Sequence, residues 1–297
     1  MNNYICFDVG GTAIKYGVIK EDGTIIYNSK YDTIPKEEEF LKSIVRIVEE
    51  NKKIYNVKGV SLSLPGVIDP FKGEVVLSYT LRFLEGKNIK DLLEQDVNLR
   101  VEIENDGKCA ALSEKFNGNG KDCDNFICIT VGTGIGGGIY VNGELLRGHN
   151  FMGGEFGFMI TEGVNEGEND FNIVSDRASV GSLIRRYKKL KNIDINEKVE
   201  GDEIFEEAKE DKDVENLLES FYRSLSYCIF NLSGAINPER ILLGGGVSER
   251  EDFIYNIDKH LNNIKWWKDI GCDIYTCKHK NNAGILGALY NFLTIKR

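Results

Sequence analysis

Residues 4–27, YICFDVGGTAIKYGVIKEDGTIIY, decide the fold of this 297-residue chain. The stretch is a series of apolar runs, separated first by the Gly10–Gly11 pair and then by Asp22–Gly23. Short apolar runs bounded by glycine, and by Asp-Gly in particular, are typical of strands joined by tight turns. The stretch therefore predicts strand, glycine loop, strand, hairpin and strand.

The same pattern returns in residues 126–146, FICITVGTGIGGGIYVNGELL, where Asn142–Gly143 takes the place of the Asp-Gly hairpin. The spacing between the two copies is too long for the repeat of a solenoid and instead indicates two similar α/β domains. We place these domains at residues 1–117 and 118–297. We expect the last helix, at about residues 284–295, to pack back on the N-terminal domain.

Between the two repeats, the apolar spacing predicts an amphipathic helix over 37–50 and a buried strand followed by a Pro-Gly turn over 57–69. A further strand ends near Asn105 and a helix follows it. Beyond residue 170 the pattern is mainly helical until RILLGGGVS, residues 240–248, which predicts a strand, a glycine turn and the start of a helix.

Composition restricts the class of protein. The net charge is −10, which makes the chain a poor candidate for sequence-independent binding to nucleic acid or to an anionic membrane. The first residues do not have the pattern of a signal peptide, and no apolar run approaches the roughly 20 residues of a membrane span. The seven cysteines are irregularly spaced, so we expect reduced thiols and a cytoplasmic protein.

Three glycine loops are the candidate ligand sites: DVGGTAIK (8–15), VGTGIGGG (131–138) and LLGGGVS (242–248). Glycine lets the backbone approach a ligand closely, and successive N–H groups can then converge on phosphate oxygens. The second loop formally fits G-x-G-x-x-G, but a dinucleotide-binding loop leads into a helix, whereas here a strand and hairpin follow. Plain hairpins are the alternative, although three such loops favour a nucleotide held between two domains.

The motifs together resemble the actin/hexokinase-like ATPase superfamily and, more closely, the ROK family of sugar kinases. This resemblance implies an α/β fold of two similar ribonuclease H-like domains with a cleft between them. It also implies that the protein binds a sugar and ATP with Mg²⁺ and forms a homodimer. The motifs that carry the resemblance, in family order, are FDVGGTAIKYGVI, SLPGVID, IENDGKCAALSE, TVGTGIGGGIYVNGELLRG, GGEFG and LLGGGVS.

The resemblance also assigns residues to the two substrates. On the nucleotide side, Asp8 would lie near the Mg²⁺ of Mg-ATP, Lys15 would lie near the phosphates, and the glycine loops would bind ATP. The loop residues are Gly10, Gly11, Thr12, Gly132, Thr133, Gly134, Gly244, Gly245 and Gly246. On the sugar side, the matching residues are Gly66, Asn105, Asp106 and Glu155.

Asp106 is the candidate general base. Phosphoryl transfer depends mainly on positioning and charge neutralisation, with a base that receives the hydroxyl proton. The local pattern alone also fits a helix cap, which Asp makes well. The two roles are compatible, because helix N–H groups stabilise the ionised carboxylate.

The segment GGEFGF, residues 153–158, departs from the family pattern Gly-Glu-x-Gly-His. Phe158 occupies the position of a histidine that ligates zinc in relatives, and residues 159–179 contain no Cys or His. A structural zinc site needs four such ligands, so we expect no zinc and a loop held instead by packing. Downstream, Ser175 aligns approximately with a second sugar-binding Glu of zinc-containing members, with Asp176 and Arg177 beside it.

The choice of sugar stays open at this stage. Residues 80–86, 142–159 and 277–293 look most like the β-glucoside kinases, which phosphorylate the 6-hydroxyl of the glucose unit of cellobiose-like sugars. The alternatives are an N-acetylmannosamine kinase without the zinc motif and a glucokinase. A different class, the sugar-responsive repressors, carries an N-terminal helix-turn-helix, for which we expect no room here. A non-catalytic sugar sensor is the remaining alternative.

Overall fold

The computed structural model describes residues 2–161 and 173–296. Within these ranges the strands are β1 (Asn3–Val9), β2 (Ala13–Lys20), β3 (Ile25–Asp32), β4 (Val57–Leu64), β5 (Val67–Asp69), β6 (Glu74–Leu77), β7 (Lys87–Asn88), β8 (Val101–Asn105), β9 (Phe126–Val131), β10 (Ile135–Val141), β11 (Glu144–Leu145), β12 (Arg240–Gly244) and β13 (Asp273–Thr276). The helices are α1 (Glu37–Lys52), α2 (Ile89–Val97), α3 (Asp106–Asn117), α4 (Val174–Ala178), α5 (Val180–Lys191), α6 (Gly201–Glu207), α7 (Lys212–Ile236), α8 (Phe253–Leu261), α9 (Trp267–Ile270) and α10 (Ala283–Thr294).

The chain forms two compact units. The first comprises Met1–Asp122, Gly138–Gly154 and Lys278–Arg297, and the second comprises Cys123–Gly137 and Glu155–Cys277. The sequence places the boundary after residue 117 and returns only the last helix to the N-terminal domain, whereas the chain crosses between these units several times. Residues 138–154, which include most of β10, lie in the first unit.

The first unit is built on a sheet of order β3-β2-β1-β4-β8. β1 pairs with β2 antiparallel and with β4 parallel, and β4 pairs with β8 parallel. Both faces of this sheet are covered, which explains why β1 reads as a nearly continuous apolar run. Phe7 packs in a core with α1, whereas Cys6 packs in a second core with α10.

Helix α10 belongs to the first unit and packs against it through glycine. A side chain at Gly287 would collide with the backbone of Cys109 in α3, so the two helices approach as closely as their backbones allow. A side chain at Gly59 in β4 would likewise collide with the Phe292 ring. The small residues in the last helix therefore reflect tight packing on α3 and the sheet.

The second sheet has the order β11-β10-β9-β12-β13. β12 is parallel to both β9 and β13, and β10 is antiparallel to β11. In the second unit, α7 is the longest helix, with Asp211 as its N-cap and Asn237 in the left-handed conformation at its C-terminus. Gly246–Glu249 forms a 3-10 turn, so the helix after the third glycine loop, α8, begins only at Phe253.

Among the described residues, no helix combines the length and the apolar character needed to cross a membrane.

Candidate active site

Three of the residues assigned to the sugar form one hydrogen-bonded cluster in the first unit. Asp106 is the first residue of α3 and follows directly from β8. The Asn105 amide nitrogen donates to the Gly66 carbonyl and to Asp106 Oδ1, each at 2.9 Å. The Asn105 side-chain oxygen accepts from the Lys108 N–H at 2.9 Å and so caps the helix. The amide nitrogen of Asn105 therefore fixes Gly66 and Asp106, and its amide oxygen fixes the start of α3.

Gly66 occupies a position that only glycine fits. Its φ is +119°, and a Cβ there would collide with the carbonyl oxygen of Leu77. The neighbouring turn is anchored by Ser78, whose hydroxyl donates to the Pro65 carbonyl at 2.8 Å. The Gly66 backbone is therefore held in a fixed position beside Asn105.

The Asp106 carboxylate is solvent-exposed, and its orientation is set by the backbone. The Gly107 N–H donates to Asp106 Oδ1 at 2.8 Å, and Asn105 donates to the same oxygen. Donors at a helix N-terminus favour the ionised carboxylate. An exposed, ionised and oriented carboxylate has the properties of a general base.

The first glycine loop joins β1 and β2. The Gly10 N–H donates to the Ala13 carbonyl at 2.9 Å, and the Thr33 hydroxyl donates to the Gly10 carbonyl at 2.7 Å. Gly11 and Thr12 are exposed. A Cβ at Gly11 would lie 2.6 Å from the Thr80 methyl group, so the loop passes close to the segment after β6.

Asp8 lies at the end of β1, opposite Lys15 in the β1–β2 ladder. The Ser63 hydroxyl donates to Asp8 Oδ1 at 2.9 Å, and Lys15 Nζ donates to the Asn281 carbonyl. Burial raises the pKa of Asp8, and Ser63 and Lys15 only partly oppose this effect. A Cβ at Gly284 would collide with the Asp8 carboxylate, so the start of α10 packs directly on it.

Asp8 fits a role beside a cation, because a nearby positive charge would offset the cost of burying its ionised form. No group of three or more His, Cys, Asp or Glu within residues 2–161 and 173–296 could by itself hold a metal ion. A magnesium ion at Asp8 would therefore depend mainly on nucleotide phosphates and water for its ligands. This is the usual manner in which proteins bind Mg²⁺ with a nucleotide.

The second and third glycine loops lie together in the second unit. They follow the neighbouring parallel strands β9 and β12, with Thr130 opposite Gly244. Gly245 has a φ of +93°, and a Cβ there would collide with the Val131 backbone. The exposed Thr133 and Gly134 follow at once. One edge of the sheet thus presents both loops.

Glu155 lies in the second unit, where it is half-buried and precedes a 3-10 turn, Phe156–Phe158. Phe156 is 3% exposed, and a Cβ at Gly137 would lie 2.6 Å from its ring. Phe158 is 56% exposed. The packing that was expected to hold this loop is therefore supplied by Phe156 and not by Phe158, because the turn directs the two rings to different sides.

Several residues that hold the site were not identified from the sequence. Ser63 and Gly284 contact Asp8, Thr33 holds Gly10, and Ser78 holds the turn at Gly66. Ser175, which aligns approximately with a sugar-binding Glu of zinc-containing members, accepts a hydrogen bond from the Ile135 N–H at 3.2 Å. Ser and Thr at these positions have no distinguishing sequence pattern, so only the fold reveals their contacts.

The region where relatives would place zinc-binding cysteines is only partly described, because residues 162–172 lie outside the described residues. Downstream of it, Asp176 pairs with Arg185 at 3.3 Å on the surface. All seven cysteines have free thiols. Cys272, Cys277 and His279 do not form a metal-binding group in the part of the chain that is described.

The site combines the second and third glycine loops, which follow adjacent parallel strands, with the first glycine loop, which lies in a duplicated β-hairpin, and with an oriented Asp at a helix start. These features define a nucleotide-dependent α/β protein. Residues 4–295 match the family model described as ROK family, and the chain belongs to that family.

The chain is similar to a β-glucoside kinase from Listeria innocua, with 36% identity over 289 residues that cover 97% of this chain and 96% of that one. It is also similar to the solved structure of the Lmo2764 protein from Listeria monocytogenes, at 35% identity, a TM-score of 0.90 and 98% coverage of each chain. A third relative is a ROK family glucokinase from Streptomyces griseus, solved with glucose and AMPPNP. It is 27% identical, with a TM-score of 0.82, over 97% of this chain and 98% of that one. These structures confirm the expected actin/hexokinase-like fold.

Proposed function

We propose that this protein is an ATP-dependent kinase that phosphorylates the 6-hydroxyl of the glucose unit of a β-glucoside such as cellobiose. The coarser prediction, a sugar kinase, is confirmed by the full-length similarity to named ROK kinases. The particular acceptor is supported by the 36% identity to a β-glucoside kinase. The single structural observation that supports the chemistry is the hydrogen-bonded cluster of Gly66, Asn105 and Asp106.

In the proposed reaction, Asp106 accepts the proton of the sugar hydroxyl while the hydroxyl oxygen attacks the γ-phosphorus of ATP and ADP leaves. Asn105, Glu155 and the Gly66 backbone bind the other sugar hydroxyls, because amides and carboxylates offer complementary donors and acceptors. Asn105 also restrains Asp106 at 2.9 Å, so the base is oriented before the sugar binds. Restraint of this kind is what phosphoryl transfer requires of the protein.

The glycine loops bind the nucleotide in this proposal, which takes Mg-ATP as the substrate. Gly10, Gly11 and Thr12 form one phosphate loop, and Gly132, Thr133 and Gly134 form the other. Gly244, Gly245 and Gly246 lie on the adenosine side, next to the second loop. Asp8 faces the magnesium ion, and Lys15 adds positive charge near the phosphates. AMPPNP in the Streptomyces griseus relative supports nucleotide binding in this fold.

The cellular location, the oligomeric state and the ligands are proposed from the same family resemblance. In this proposal the protein is a cytoplasmic homodimer without structural zinc, and it binds a sugar and Mg-ATP. Its two domains in this proposal are residues 1–117 and 118–297, with the last helix packed on the first. Free thiols at all seven cysteines are consistent with a reducing compartment.

A second candidate acceptor is N-acetylmannosamine, because the Lmo2764 protein, which is 35% identical over 98% of both chains, is provisionally named an N-acetylmannosamine kinase. Glucose is a third acceptor, supported by the glucokinase relative. All three acceptors use the same cluster around Asp106.

The test is ADP release from ATP with cellobiose, gentiobiose, N-acetylmannosamine and glucose, each over a range of concentrations. We expect the highest kcat/KM with a β-glucoside, and NMR of the product should place the phosphate on C6 of the non-reducing glucose. A higher kcat/KM with N-acetylmannosamine or glucose would reassign the acceptor. Sugar binding in calorimetry without ADP release from any of the four would instead indicate a non-catalytic sugar sensor.

A further inference from the structure

Ser175 lies against the second phosphate loop. It is the second residue of α4, and its hydroxyl oxygen accepts a hydrogen bond from the Ile135 N–H at 3.2 Å. The same oxygen lies 3.3 Å from the place that a Cβ on Gly134 would occupy. The hydroxyl therefore covers the point where the loop ends and β10 begins.

Ser175 also contacts the turn that carries Glu155. A Cβ at Gly157 would lie 3.2 Å from Ser175 Cβ and 2.7 Å from the Ile135 carbonyl oxygen. Gly157, Ser175 and Ile135 therefore meet at one point that leaves no room for a further side chain. Any displacement of the Glu155 turn would press on both Ser175 and the loop, because close-packed groups transmit displacement.

The position of Ser175 is fixed from both sides. The Val174 N–H donates to the Met159 carbonyl at 2.7 Å, and Ile160 forms a bridge with Ile173, so α4 is fastened to the turn. The Ser179 hydroxyl donates to the Ser175 carbonyl at 2.6 Å. Ser175 is thus part of a connected backbone network and not a mobile surface residue.

We propose that Ser175 is a positioning residue that couples the Glu155 turn to the second phosphate loop. Sugar bound at Glu155 steadies the turn, the turn steadies Ser175, and Ser175 holds the Ile135 N–H and thereby the orientation of Thr133 and Gly134. The inference rests on the proposed function for its two ligands. Ser175 aligns approximately with a sugar-binding Glu of zinc-containing members, but its hydroxyl is bonded to the phosphate loop.

The kinetic test compares Ser175→Ala with wild type, with Ser175→Thr as the variant that keeps a hydroxyl. The matched control is Ser226→Ala, which removes a buried hydroxyl elsewhere in the second unit, one that donates to the Ile257 carbonyl at 3.3 Å. Loss of one hydrogen bond should raise the KM for ATP about two- to tenfold in Ser175→Ala. The affinity for the sugar without nucleotide, measured by calorimetry, should stay unchanged, whereas the KM for the sugar at saturating ATP should rise by the factor that the coupling loses, because coupling between two ligands is reciprocal. Ser175→Thr should recover most of these effects, and Ser226→Ala should leave both KM values unchanged.

The coupling itself is measured by titrating AMPPNP in calorimetry with and without saturating cellobiose. In wild type, saturating cellobiose should increase the affinity for AMPPNP. In Ser175→Ala, the ratio of the AMPPNP affinities with and without cellobiose should fall towards one. A raised KM for the sugar with an unchanged KM for ATP would overturn the proposal and return Ser175 to the sugar site. An unchanged affinity ratio in Ser175→Ala would overturn it as well.

Hydrogen exchange of the wild-type protein needs no variant and covers the case in which Ser175→Ala does not fold. Cellobiose alone should increase the protection of the Ile135 amide. If cellobiose binds in calorimetry but the protection of Ile135 is unchanged, the coupling is absent although a sugar site exists. If none of the four sugars binds, the proposed function fails on its own, which is a distinguishable result.

Discussion

Gly245 lies on the backbone of Val131, so closely that a side chain at Gly245 would collide with the Val131 carbonyl oxygen. The two residues are far apart in sequence, yet Val131 begins the second glycine loop and Gly245 lies within the third. Parallel pairing of β12 with β9 brings them together. The second and third loops therefore form one surface, and a change in one should be felt in the other.

Gly245→Ala should weaken nucleotide binding and lower stability. The residue has a φ of +93°, and a Cβ at positive φ costs about 1–2 kcal/mol before any collision is counted. Relief of the collision with Val131 should shift the second loop and raise the KM for ATP. Urea unfolding and steady-state kinetics measure the two effects.

Gly86→Ala is the matched control for that change, because Gly86 also has a positive φ, +73°, but lies outside the glycine loops, and a Cβ there would meet nothing within 4 Å. It should lose stability through its backbone conformation alone and retain the KM for ATP. If Gly245→Ala is destabilised but binds AMPPNP as wild type does, the third loop has no part in the nucleotide site.

Asp106→Asn should abolish turnover while sugar binding persists. The amide oxygen can still accept from Gly107 and Asn105, so the start of α3 and the cluster geometry are retained. Loss of the general base should lower kcat by about 10²–10⁴. ADP release gives kcat, and calorimetry gives the sugar affinity.

Asp91→Asn is the control for charge at a helix start, since Asp91 lies in the first turn of α2 in the same unit. Its turnover should match that of wild type. Turnover of Asp106→Asn close to the wild-type rate would remove Asp106 from the role of base.

The sequence was most informative where the signal is local. The strands on either side of the first two glycine loops, and the helix that starts at Asp106, follow from apolar runs, Gly-rich turns and capping residues. These patterns involve neighbours along the chain, so one segment suffices to identify them. The same holds for Asn105 as a helix cap, because its side-chain oxygen accepts from the N–H of Lys108, three residues onward.

Contacts between distant segments could not be derived in this way. The contact of Asp8 with Gly284 and that of Gly245 with Val131 depend on strand order and helix packing, which no local pattern specifies. Which ring packs in residues 156–158 could not be derived for a related reason. The string FGF does not say which ring faces the core, and the 3-10 turn buries Phe156 instead.

Glu102→Gln should destabilise the first unit strongly. Glu102 is fully buried in β8, and its carboxylate is held by Lys90 Nζ and Arg100 Nε, each at 2.7 Å. Lys90 is also buried, so loss of the negative charge would leave its ammonium without compensation. Removing one partner of a buried pair typically costs about 3–5 kcal/mol. Arg100 is partly exposed, so the loss of its ion pair with Glu102 should contribute less to the destabilisation.

Urea unfolding measures this effect as a lower midpoint at an unchanged m-value. Glu85→Gln, an exposed Glu of the same unit, is the control and should stay within about 0.5 kcal/mol of wild type. A loss below about 1 kcal/mol in Glu102→Gln would show that water reaches this pair.

His279 should make stability depend on pH. Its Nε2 is enclosed without a hydrogen-bond partner among the described residues, and burial lowers the pKa of the imidazole. Glu114, which accepts from the Lys278 and His279 N–H groups, acts in the opposite direction, whereas the charge of Lys278 lowers the pKa further. The folded state therefore favours the neutral ring.

The unfolded chain binds a proton on His279 near the ordinary histidine pKa of about 6.5. The stability contribution is therefore complete above that pH and is lost as the pH falls from there towards the lower folded-state pKa. Urea unfolding at about pH 7.5 and 5.5 should give a smaller difference in the free energy of unfolding for His279→Gln than for wild type. The exposed His149→Gln is the control and should keep the wild-type difference. His260, whose pKa burial also lowers, is present in all three proteins and contributes equally to each. An identical pH dependence in wild type and His279→Gln would show that the ring is protonated as readily in the folded as in the unfolded state.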